Sequence, residues 1–261
     1  MAADALCLSA LYDYFDKHYA RGTAFAMSGV GFGVMVIPLL TQVFMDIYGW
    51  RGSMLLIGGL NLHIVLCGSL LRPTVRKAQM ELESVLRSAD EGKPKDAVAI
   101  FDAIGFPLFK SMNFISILIL AAGGGYLITG WTVYLVPHAL DLGYQPYEAT
   151  LLATAGGLGY ILGSFGFPFL TRTFSSETIL YMATLLNCLS MLLDPLSGFL
   201  HSYTGMIVSS STFGAGRAIF FAIFYVIIKE TIDDDKQTIV VMWLHFWENC
   251  GSLASGFLSG K

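Results

Sequence analysis

The chain has 261 residues, of which 55% are hydrophobic and only 13% charged, with 28 Gly, 19 Phe and a net charge of −4. So few charges cannot cover the surface of a soluble protein this apolar, and the lack of basic stripes excludes a nucleic-acid partner. The four cysteines, Cys7, Cys67, Cys188 and Cys250, fall in separate apolar stretches without metal-ligand spacing, so they read as small apolar fillers.

Apolar residues gather in seven runs, 22–45, 53–71, 111–137, 149–170, 178–196, 204–228 and 238–258. Each holds about 20 or more residues, enough at 1.5 Å per residue to cross a hydrocarbon core of roughly 30 Å. In lipid every backbone polar group must be bonded inside a helix or a closed barrel, and alternating ten-residue strands are absent. The predicted fold is an all-α, polytopic membrane protein.

The first run is preceded by Ala5–Tyr14, which reads as the last turns of an apolar helix with no body upstream. Met1–Tyr14 lacks the basic-then-apolar pattern of a signal peptide. Within the first run, Gly29 and Gly33 stand four apart, a spacing that lets helices approach closely. Gly29, Gly31 and Gly33 imitate a nucleotide loop, but they lie inside an apolar helix without a preceding strand. After the second run comes a long joint, 73–109, where acids and bases alternate; it reads as a linker with a surface helix over Ala78–Ala89 and a flexible stretch at Glu91–Pro94.

In the third run, Gly123-Gly124-Gly125 is expected to weaken one helical turn, and transporters place sites beside such interruptions. That makes Tyr126 and Trp131 candidate substrate-binding residues, with bundle packing as the alternative. The fourth run carries a stripe of Gly156, Gly159, Gly163 and Gly166, read as a packing face. Arg217 and Glu248 stand near the middle of the sixth and seventh runs. Ionised groups at that depth cost several kcal/mol unless paired or facing water, so both are candidate substrate-binding residues. The alternative is a structural ion pair joining the two helices. His245, three residues before Glu248, sits among Trp243, Phe246 and Trp247, as a packing residue or as a partner for a proton. Asp233–Asp235 reads as a solvated cap, and no catalytic triad, P-loop or metal cluster appears, so neither an enzyme nor a cofactor is expected. The last run ends at Gly260–Lys261 with no return helix.

Charge gives the runs a sidedness. Of the 15 Lys and Arg residues, 12 fall in alternate joints: Lys17, Arg21, Arg72, Arg76, Lys77, Arg87, Lys93, Lys95, Lys110, Arg172, Lys229 and Lys236. The opposite joints, 46–52, 138–148 and 197–203, carry only Arg51. The positive-inside bias therefore places Tyr14–Arg21 on the cytoplasmic side.

Tyr14–Gly29 reads YFDKHYARGTAFAMSG, followed by YGWRGS at Tyr48–Ser53 and by Leu70, Leu71, Arg72 and Pro73 at the end of the second run. In order and spacing these resemble the signature of the monocarboxylate transporter family of the major facilitator superfamily, with Tyr14, Phe15, Lys17 and Arg21 as its cytoplasmic signature. The resemblance numbers the runs as helices five to eleven of twelve, after the end of helix four. It implies a remnant of the N-terminal bundle over 1–72, a cytoplasmic linker over 73–109 and a C-terminal bundle over 110–261. It further implies a multi-pass protein of the plasma membrane that carries a small organic acid by alternating access. Its partners would be the solute, the bilayer and a single-span accessory glycoprotein. The chain departs from the pattern in helix eight, Leu151–Leu170, where proton-coupled members carry an Asp and an Arg four residues apart; here only Tyr160 is ionisable. That departure favours a second reading, a facilitator of a zwitterionic or aromatic metabolite, and a third reading is a truncated membrane protein without transport.

Overall fold

The computed structural model describes residues 19–70, 109–231 and 234–258. It is built of helices α1 (Tyr19–Asn61), α2 (His63–Leu70), α3 (Met112–Asp141), α4 (Pro146–Thr173), α5 (Ser176–Phe199), α6 (Tyr203–Thr231) and α7 (Asp234–Leu258). The five later helices coincide with the last five apolar runs, each extended by a turn at one or both ends. The linker expected over 73–109 lies, except for Phe109, outside the described residues, as do Tyr14, Phe15 and Lys17.

The expected loop at 46–52 is not a loop. Helical turns run up to both sides of Gly49, whose φ of 66° and ψ of 179° break the ladder at a single residue. Only glycine adopts that backbone without strain, so one residue does the work assigned to a joint. The break has a reason in length: Arg21–Ser69 holds 49 residues, more than twice what a 30 Å core requires. A second interruption, at Leu62, divides the second apolar run between α1 and α2.

Close backbone approaches fix how the helices pack. The first part of α1 runs antiparallel to α4, with Met27 against Tyr160, Gly31 against Ile161 and Met35 against Gly157. It is Gly31 that makes the contact, while Gly29 and Gly33, the expected pair, face open space. The α4 stripe behaves as expected over three of its four members: Gly156, Gly159 and Gly163 meet Ser210, Ser211 and Ala215 of α6, whereas Gly166 is open. Between α3 and α7, Gly125 lies on the Glu248 backbone and Gly251 on that of Ala122. Three hydroxyls join the helices further: Ser210 donates to Leu152 O at 2.5 Å, Ser209 to Ser190 O at 2.9 Å and Thr129 to Ser252 Oγ at 2.9 Å. Such bonds contribute about 0.6 kcal/mol each between membrane helices.

Two apolar clusters mark one end of the bundle and a third marks the other. Phe114, Phe224, Ile228, Val240 and Leu244 pack together, next to Ala24, Phe167, Ile179 and Ile223. Leu135, Ala139, Ala149, Leu152 and Met206 form the cluster at the opposite end. Arg21, Lys110, Arg172 and Lys229 therefore share the first end, and His138, Asp141 and Glu148 the second, the division the charge bias requires. Large apolar side chains such as Phe32, Leu185, Leu192, Leu253 and Phe257 point outward, a surface suited to lipid. Among the described residues, Arg21–Ser69, Phe114–Asp141, Pro146–Thr173, Ser176–Phe199 and Tyr203–Glu230 are long and apolar enough to cross a membrane. Helix α7 is less apolar, and its central polar groups turn inward.

Candidate functional site

Arg217 lies 14 residues into α6, about 21 Å along it. It is held there by its small neighbours. Gly214 lets α6 touch the Gly156 carbonyl of α4, and Gly216 lets it touch Asn187 of α5. One turn earlier, Phe213 stacks on Trp131 of α3 with ring centroids 4.2 Å apart. Trp131 thus fixes α6 from the α3 side, and its indole N–H is buried without a partner.

The guanidinium carbon stands 5.8 Å from the centre of the Tyr160 ring, and that ring is only 2% exposed. A cation over a desolvated aromatic face is stabilised by the ring quadrupole, by roughly 2 kcal/mol where water is excluded. The Tyr160 hydroxyl donates to Met27 Sδ at 3.6 Å, which ties the pair to α1. Arg217 Nε is cut off from solvent with no hydrogen-bond partner, and so is Asn187 Oδ1.

Glu248 does not pair with Arg217, as the structural alternative for these two residues requires. Its Oε2 accepts from His245 Nδ1 at 3.1 Å, and His245 Nε2 lies 3.3 Å from the Tyr225 hydroxyl. The side chains of His245 and Glu248 are 14% and 15% exposed. Glu248 still acts on Arg217 through space, together with Tyr160. The physical reason is register: Gly125 draws α7 against α3, and the Glu248 carboxylate swings back along its own helix to the imidazole one turn earlier.

The glycine triplet of α3 also differs from expectation. The helix is unbroken from Met112 to Asp141, and Gly124 and Gly125 serve as seats for Phe220 and for the Glu248 backbone. With Gly124 and Gly125 buried against close neighbours and Gly123 on the open side, the triplet needs no unwound turn. Tyr126 is 37% exposed, and its side chain makes no hydrogen bond or ring contact among the described residues. Arg21 is exposed on the first turns of α1, far from Arg217. The structure thus brings Arg217, Tyr160, Glu248 and, through Phe213, Trp131 into one region, and leaves Tyr126 outside it. Asn187, Tyr225 and Met27 join this region without having been singled out. Asn187 could have been found as the one carboxamide in the run 178–196.

The arrangement holds a positive charge at mid-depth on an aromatic seat, flanked by a titratable group tied elsewhere. The Major Facilitator Superfamily model matches residues 2–256. Monocarboxylate transporter 11 of Homo sapiens is 33% identical over 158 residues, which are 59% of this chain and 30% of that protein. Monocarboxylate transporter 12 of Rattus norvegicus is 28% identical over 272 residues, covering 92% of this chain and 54% of the relative. Monocarboxylate transporter 13 of the same species is 25% identical over 255 residues, covering 97% and 55%. The chain spans about half or less of the length of these curated relatives. With a family match along nearly its whole length and a bundle of membrane-length helices, this multi-pass, non-enzymatic chain belongs to the Major Facilitator Superfamily, where its curated relatives are monocarboxylate transporters.

Proposed function

We propose that the chain contributes to transport of a small organic acid by alternating access, with the substrate carboxylate received by Arg217. The observation that carries this reading is the Arg217 side chain itself, seated over Tyr160 with Nε unpartnered while the nearest acid is bound to His245. A guanidinium in a largely dry region, without a contact counter-ion among the described residues, has its strong, bidentate hydrogen-bonding capacity in reserve. The names of the relatives support the substrate class. The division into an N-terminal remnant, a linker and a C-terminal bundle, the plasma membrane as location, and an accessory glycoprotein belong to the same proposal and rest on the resemblance.

The test is binding of propionate to the purified chain in lipid nanodiscs, read by calorimetry. Arg217→Ala is expected to abolish it and Tyr160→Phe to preserve it. Equal affinity of wild type and Arg217→Ala sinks the reading.

A zwitterionic or aromatic metabolite is the second reading. It is favoured by the absence of any charged side chain on α4 between Leu151 and Leu170, and by the stacked Trp131 and Phe213 beside the site. Competition of phenylalanine, but not phenylpropionate, against propionate would select it.

A further inference from the structure

His245 is bonded on both sides of its ring, and that alone gives it two well-defined states. In the neutral state Nδ1–H donates to Glu248 Oε2 at 3.1 Å and Nε2 accepts from the Tyr225 hydroxyl at 3.3 Å. In the protonated state both nitrogens donate, and the phenol turns so that its oxygen accepts. Apart from that hydroxyl rotation no side chain has to move; the proton comes from a hydronium ion, whose O–H bond breaks as the N–H bond forms, leaving water. Tyr225 is 2% exposed and closes one side of the imidazole, so the ring is kept in place in either state.

Among the described residues, the charges around it are few. From α6 the facing titratable groups are Arg217 and Tyr225, from α4 Tyr160, and from α7 His245 and Glu248. Helix α3 meets this stretch of α7 with Ala122, Gly125 and Thr129, none of which titrates, and α1 presents Met27 through Tyr160. With His245 neutral, Arg217 and Glu248 sum to zero, and Glu248 opposes any anion brought to Arg217. With His245 protonated, the imidazolium neutralises Glu248 across a 3.1 Å contact and the region carries one net positive charge.

We propose that His245, held between Glu248 and Tyr225, is a proton-binding site that sets the affinity of Arg217 for an anion. This rests on the reading of Arg217 as the carboxylate receptor. The position is distinct from helix α4, which has no carboxylate, imidazole or cationic side chain over Leu151–Leu170 to do the same. Because coupling between two sites is reciprocal, an anion at Arg217 draws a proton to His245, and a proton at His245 favours the anion by the same factor. The factor expected is at least about fivefold, the lower end of ordinary coupling.

The experiment uses the chain in nanodiscs with 15N-labelled histidine, the His245 signal being identified by its loss in His245→Gln. The signal is expected to respond to pH, and to respond differently in Glu248→Gln and in Tyr225→Phe. Two substitutions on opposite sides of the ring guard against one that merely misfolds. Propionate affinity, measured separately, is expected to rise at least fivefold from pH 8 to pH 5.5 in wild type and to stay flat in His245→Gln. A His245 signal that does not titrate, or titrates identically in all three proteins, overturns the relay whatever Arg217 binds. The same pH dependence of propionate binding in wild type and His245→Gln overturns the coupling. Absence of propionate binding at every pH overturns the Arg217 reading and with it the coupling, while the histidine titration still decides the relay.

Discussion

The Arg217 guanidinium rests on the face of Tyr160, 5.8 Å from its centre, and Tyr160 in turn reaches Met27. A charge in the middle of α6 is thereby seated by α4 and linked to α1, so three helices share one polar axis through an apolar bundle. In the proposed alternating-access cycle, such an axis is where substrate binding and helix movement would meet.

The first prediction follows from the geometry of the cation. An ammonium keeps the charge of Arg217 and loses its planar fork. Arg217→Lys is expected to weaken propionate binding by about ten- to a hundredfold, the loss that one charge-assisted hydrogen bond accounts for. Calorimetry on the chain in nanodiscs measures it, and an affinity within twofold of wild type would mean that the anion does not meet the guanidinium edge-on.

The helices were legible in the sequence because their cause is local. Length and hydropathy predict α3 to α6, and the charge bias sorts Arg21 and Arg172 to one end because both features are set by the bilayer rather than by tertiary contacts. What was not legible depends on neighbours. Gly123–Gly125 looks like a weak turn until α7 is placed against it, and Gly29 and Gly33 look like a contact pair until α4 is seen to choose Gly31. Arg217 and Glu248 could be found by depth alone, but that Glu248 turns to His245 depends on side-chain register within α7. Asn187 carries no charge and so raised no cost argument, although the buried carboxamide oxygen sits against Gly216 beside the site.

Packing gives a second prediction with an internal control. A side chain at Gly159 runs into the Ser211 carbonyl, and one at Gly166 meets nothing within 4 Å. Gly159→Leu is expected to separate α4 from α6 at a cost of about 3 kcal/mol or more, whereas Gly166→Leu stays within about 0.5 kcal/mol of wild type. Loss of helicity on titration with a denaturing detergent would show the difference; equal sensitivity of the two variants would refute the α4–α6 contact.

Sidedness is the third. Arg172 lies at the end marked by Ala24 and Phe167, and His138 at the end marked by Ala139 and Ala149. With the basic end in the cytoplasm, a cysteine at 138 is expected to react with an impermeant maleimide in intact cells and a cysteine at 172 only after permeabilisation. The test needs a background in which the native cysteines are replaced. Labelling of position 172 from outside would invert the orientation.

The last prediction concerns Gly49. Its φ of 66° with ψ of 179° belongs to a region that residues with a Cβ avoid, and no atom lies within 4 Å of where that Cβ would stand. Any effect of a substitution there is therefore one of backbone strain and not of a clash. Gly49→Ala is expected to cost about 1–3 kcal/mol. Gly52→Ala, which brings a methyl onto Tyr48 Cβ at 2.5 Å across the break at Gly49, is a clash control at a neighbouring site. The two can be told apart by what relieves them. Tyr48→Ala leaves the Cβ in place and should not rescue Gly52→Ala, whereas Tyr48→Gly removes it and should. Neither change at Tyr48 should rescue Gly49→Ala, because the strain lies in the dihedral angles themselves. Thermal unfolding of wild type, the two single variants and the four double variants in nanodiscs, followed by helical circular dichroism, provides the readout. Wild-type stability of Gly49→Ala would mean that the chain passes this point in an ordinary helical conformation, and that α1 continues unbroken through the stretch read here as the turn between two membrane crossings.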